Sequence, residues 1–90
     1  MYAVAFTLRQ ARDGARAGAD AATLTDVFWS LAMACDNLEH VHVSTVAGQI
    51  EVTLFVQAGD QMGAEHAALA LCRRVVDRTP LLAGWAILRP

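Results

Sequence analysis

His40 and His42 are the residues best placed to do chemistry. They lie two apart in the alternating run Leu38–Val46, so a strand projects both from one face. Folding the chain back at Ala47-Gly48 brings Glu51 diagonal to His42. Two imidazoles and a carboxylate could ligate a metal ion. The same set could move protons, with Glu51 tuning a histidine. Nothing in the sequence marks a nucleophile or an oxyanion site, and no catalytic residue is assigned. The simpler reading is a row of polar side chains on a wet or partner-facing sheet, and it is preferred. No cofactor is expected, and the histidine pair is the only metal candidate.

Four further groups of residues each have a plainer structural reading. Arg9, Arg12 and Arg16 lie at or within the first β-α loop, ahead of a helix N-terminus, where guanidinium groups could hold a phosphate or carboxylate. That segment has no Walker or dinucleotide spacing, so a solvated loop is the preferred reading. Arg73, Arg74 and Arg78 fall near the C-terminal end of the second helix, where positive charge favours the helix dipole. Trp29 with Met33 could anchor a partner; Trp85 reads as core. Cys35 and Cys72 have no CxxC or ligand spacing and read as two reduced thiols buried in helices.

The elements that carry these residues follow from periodicity. Tyr2–Arg9 alternates, with Tyr2, Val4, Phe6 and Leu8 on the bulky side, as in a half-buried strand. A loop covers Gln10–Ala19. Asp20 or Thr23 caps a first helix whose stripe is Leu24, Val27, Phe28, Leu31 and Cys35, ended by Asp36-Asn37. Leu38–Val46 and Gln49–Gln57 form a β-hairpin. Its register opposes Val43 with Val52 and Val41 with Leu54 on one face. On the other face, Ser44 meets Glu51, His42 meets Thr53 and His40 meets Phe55. Asp60 caps a second helix from Gln61 to Thr79, stopped by Pro80, with the stripe Ala64, Ala68, Leu71, Cys72 and Val75. Leu81–Arg89 is a last strand; both of its sides are apolar, so alternation does not choose the inner one.

The order β-α-β-β-α-β with right-handed crossovers resembles a ferredoxin-like sandwich. That resemblance implies an α+β domain over residues 1–90, with a four-stranded antiparallel sheet in the order 4-1-3-2 and both helices on one face. The uncovered face should carry Ala3, Ala5, Thr7, His40, His42, Ser44, Glu51, Thr53 and Phe55. RNA-recognition domains need exposed aromatics on their central strands, and here the first strand offers Ala3 and Ala5 and the third only Phe55. The chain also lacks the CxxC of metallochaperones and the arginine loop of acylphosphatases.

Composition bears on partners. The chain is 56% hydrophobic and only 18% charged, more apolar than an ordinary soluble domain of its size. Apolar surface left over is expected to be buried between chains, so a homo-oligomer is expected, a dimer first. The net charge of −2 argues against a nucleic-acid or membrane-surface partner. All seven basic residues are arginine, which suggests a GC-rich, bacterial coding bias. The chain is expected to be cytoplasmic. The favoured function is a non-enzymatic interaction and regulatory module that self-associates through its open sheet face or a strand edge and docks on a partner protein. The alternative is a small-molecule- or metal-binding protein, or a small enzyme, using His40, His42, Ser44, Glu51 and Thr53 as polar contacts, with Phe55 and Trp85 as apolar walls.

Overall fold

The computed structural model describes residues 1–10, 20–46 and 48–88. Four strands and two helices follow one another as β1 (Tyr2–Gln10), α1 (Ala21–Leu31), β2 (Leu38–Val46), β3 (Gln49–Val56), α2 (Gln61–Arg78) and β4 (Trp85–Leu88). The strands form one antiparallel sheet in the order β2-β3-β1-β4, the expected 4-1-3-2 order read from the other edge. The fold class is α+β.

Alternation decides what the sheet buries. Val4, Phe6 and Leu8 of β1, Val41 and Val43 of β2, and Ile50, Val52, Leu54 and Val56 of β3 are all buried on one side. Leu24 and Phe28 of α1 and Ala64, Ala68, Leu71, Cys72 and Val75 of α2 close the same core. The small residues at the start of α2 bring that end of the helix onto the sheet; Ala64 and Ala68 are fully buried. Both helices are started by aspartates. The Asp20 carboxylate accepts the Thr23 N–H at 2.8 Å, and the Asp60 carboxylate accepts the Gly63 N–H at 2.7 Å. Each satisfies a donor that the first helical turn leaves unpaired. Of the two residues able to cap α1, Asp20 does so, and Thr23 supplies the N–H.

The hairpin has the expected register, including His40 opposite Phe55, His42 opposite Thr53 and Ser44 opposite Glu51. Gly48 takes the positive φ (74°) that the reversal needs; Ala47 lies outside the described residues. Near its start β2 carries a bulge. Leu38 pairs with Val56 and His40 with Phe55, so Glu39 is the extra residue. The bulge reverses the strand's parity, and Leu38 packs against the core although it is an even number from His40 and His42.

Two expectations are corrected. The first helix does not reach Asp36-Asn37: α1 ends at Leu31, Ala32 is extended, and Ala34–Asp36 form a separate 3-10 turn. The cause is tertiary. Arg74 of α2 donates from Nη1 to the Leu31 carbonyl at 3.1 Å and to Asp36 Oδ2 at 3.0 Å, and the same Oδ2 accepts the Met33 N–H at 2.7 Å. Asn37 then adopts a left-handed conformation (φ 52°) and turns the chain into β2. Cys35 therefore leaves the buried stripe and is exposed, while Cys72 is buried as expected. Trp29 and Met33 do not share a helix. The second correction is the last strand, which begins only at Trp85. Pro80–Leu82 form a 3-10 turn in which the Thr79 hydroxyl accepts the Leu81 N–H, and Gly84 (φ 84°) releases the chain into β4. Pairing of Leu8 with Ile87 sets the inner face. Trp85 and Ile87 join the core, and Arg89 lies outside the described residues.

Candidate functional site

With both helices on one side, the other side of the sheet stands open. The pairings arrange it in four rows across β2, β3, β1 and β4. His40, Phe55 and Ala3 make the first row, and His42, Thr53 and Ala5 the second. Ser44, Glu51, Thr7 and Leu88 make the third; Val46, Gln49, Arg9 and Ala86 the fourth. The rows follow from the pleat, because every second residue of each strand points the same way.

In the first two rows the central strands carry small or neutral side chains. Ala3 and Ala5 on β1 are exposed, and Thr53 and Phe55 beside them on β3 are half-buried. The imidazole of His40 lies against the Phe55 ring, with centroids 5.5 Å apart and planes tilted by 50°. That geometry suits a contact between a polarised ring edge and an aromatic face. His42 is exposed above Thr53, and Glu51 is exposed one row further on. Among the described residues, no three His, Cys, Asp or Glu side chains are grouped to hold a metal ion.

Opposite charges sit in neighbouring rows. Arg9 is opposite Gln49 and Glu51 is opposite Thr7, so guanidinium and carboxylate are diagonal across β1 and β3. The ion pair found among the described residues is the one between Arg74 and Asp36; Arg9 and Glu51 are both exposed and left to solvent.

The other singled-out residues lie elsewhere. Trp29 is exposed on α1, in the helical layer, and does not share a face with His40 and His42. Trp85 faces the core and cannot wall a site beside Phe55, which corrects that part of the alternative reading. Arg12 and Arg16 lie outside the described residues, so of the arginine loop only Arg9 is placed. Arg73 and Arg78 are exposed along α2. Arg74 has a role beyond favouring the helix dipole, since it is the inward partner of Asp36. The carboxylate of Asp36 is almost fully buried and the Arg74 side chain is 18% exposed. Sequence reasoning passed over this pair because its partners are 38 residues apart.

Burial pushes the Cys72 thiol up to about 12, so it stays protonated and inert at neutral pH. No helix among the described residues is long and apolar enough to cross a membrane. No protein-family model matches the chain, and no curated protein or solved structure does.

Proposed function

We propose that this chain is a non-enzymatic interaction module. It pairs with a second copy of itself through the open face of its sheet, and the pair docks on a partner protein. One observation carries the reading. The two central strands turn small or neutral side chains outward over two adjoining rows of that face, Ala3 and Ala5 beside Thr53 and Phe55, and their charges, Glu51 and Arg9, are confined to the other two rows. An uncharged patch bordered by polar and charged groups is the pattern of an association surface. The high apolar share of the whole chain supports the same reading.

A strand edge is the weaker route. β2 is an edge strand of nine residues, but its bulge at Glu39 breaks the flat ladder that edge-to-edge pairing requires. The fold behind the module is read as a ferredoxin-like sandwich, supported by the element order and the strand order. The cytoplasm is the proposed location, supported by an exposed and a buried free thiol.

The test is the mass of the protein in solution by light scattering, with Thr53→Lys as the variant. Thr53 points away from the core, so the substitution should leave the circular dichroism spectrum of the folded chain unchanged while converting dimer to monomer. A wild-type chain that stays monomeric at millimolar concentration overturns the proposal.

A further inference from the structure

The open face is complementary to itself in one orientation, and we propose that the dimer's two-fold axis runs parallel to the strands, midway between β1 and β3. This rests on self-association through the open face and specifies its geometry.

A closed two-chain contact must be isologous, with the same patch meeting itself. Two in-plane axes allow a sheet to face its copy. An axis across the strands lays β1 over β1 and β3 over β3, with the rows reversed. Ala5 then faces Thr7 of the second copy, a small pair, while Thr53 faces Glu51 of the second copy, a larger one. The gap over β1 and the crowding over β3 oppose each other, and the sheets cannot close evenly. An axis along the strands keeps the rows and exchanges the two central strands. Phe55 then lies over Ala3 of the second copy, Thr53 over Ala5 and Glu51 over Thr7, and each contact is made twice. In these three rows the larger side chain on β3 meets a smaller one on β1, which is the shape match that sheet packing at about 10 Å needs; in the fourth row Gln49 lies over Arg9 at the end of the face.

Charge agrees with shape. Glu51 faces Thr7 of the second copy, one row from Arg9 of that copy, and the symmetry repeats the pairing. Among the described residues neither group has an ion-pair partner within its own chain. The crosswise axis instead sets Arg9 over Ala3 and leaves Glu51 far from any arginine of this face. Area is sufficient. With strands about 4.8 Å apart and a rise of about 3.4 Å per residue, the face spans roughly 500 Å² in projection. Side-chain relief raises its accessible area toward the about 800 Å² per partner of a standard interface.

The experiment mixes charge-reversed chains at low salt, where exposed pairs are least screened. Arg9→Glu alone and Glu51→Arg alone each place like charges at both contacts, and each should weaken the homodimer by roughly tenfold. Mixed one to one, the two variants present acid opposite base at both contacts, and a heterodimer of wild-type strength should form. An effect confined to one chain is not rescued by mixing. If the wild type is dimeric but mixing gives no heterodimer preference, the axis is wrong and self-association stands. If the wild type is monomeric, the underlying reading fails as well.

Discussion

Replacing Arg74 by Met tests how much the side chain that ties the end of α1 to Asp36 contributes to stability. Methionine keeps the aliphatic stem and removes the guanidinium. Two hydrogen bonds are lost, to the Leu31 carbonyl and to Asp36 Oδ2. The Asp36 carboxylate, with only 5% of its side chain exposed, keeps the Met33 N–H as its partner. A hydrogen bond to a charged group contributes about 1.5–3 kcal/mol, and breaking a fully buried pair costs about 3–5 kcal/mol. Arg74 is 18% exposed, so water reaches part of the site and the lower range applies. The expected loss is about 2–3 kcal/mol, or about 10–20 °C in Tm for a domain of this size. Urea and thermal unfolding followed by circular dichroism measure it. Asp36→Asn added to Arg74→Met should recover part of the loss, because the neutral amide still accepts the Met33 N–H and leaves no buried charge unpaired. A loss below about 0.5 kcal/mol, the size of an ordinary surface change, would refute the argument, as would a double variant no more stable than Arg74→Met.

Further perturbations act on single groups. The Cys72 thiol has its pKa raised by burial from 9.0 to about 12, so folding favours the protonated form. Its contribution is full below pH 9 and is lost between 9 and about 12, at up to about 1.4 kcal/mol per pH unit; unfolding free energy of Cys72→Val should fall less steeply over that range. In the native protein at neutral pH a thiol reagent should modify Cys35 and spare Cys72, and a second equivalent reacting before unfolding would contradict the burial. Asp60→Ala removes the bond to the Gly63 N–H and should cost about 1 kcal/mol, read from the urea midpoint. The Asp20 carboxyl is held below its ordinary value by the Thr23 N–H. Its share of stability is therefore present above the ordinary carboxyl range and lost as pH falls through the lowered value; Asp20→Asn should flatten that acid limb.

The parts of the fold that were legible in the sequence are those fixed locally. The hairpin register was readable because turn position and alternation independently demand the same pairing, and a slip by one residue would turn Val43 and Val52 to solvent. The α2 stripe was readable because Asp60 and Pro80 bracket it. The end of α1 was not, because its cause is Arg74, 43 residues from Leu31. Apolar spacing through Cys35 continues past a stop that no local residue announces. The inner face of β4 was hidden for another reason. Both of its sides are apolar, and only the pairing of Ile87 with Leu8 chooses between them.

The candidate site divides along the same line. Which residues of β2 and β3 share the open face follows from the hairpin alone. Which of them meet Ala3, Ala5 and Arg9 does not, since the β1–β3 register depends on how the α1 crossover seats the hairpin beside β1. That register gives the face its meaning. It sets bulky Phe55 beside small Ala3, and the acid at 51 diagonal to the base at 9, on the two strands that share the centre of the sheet. A sheet with alanines opposite alanines would be flat and would favour no orientation of a partner. Here the relief alternates across the midline between β1 and β3, and relief of that kind is matched by its own image turned about that line. The histidines stand on β2, the edge strand of the same face, and are exposed there.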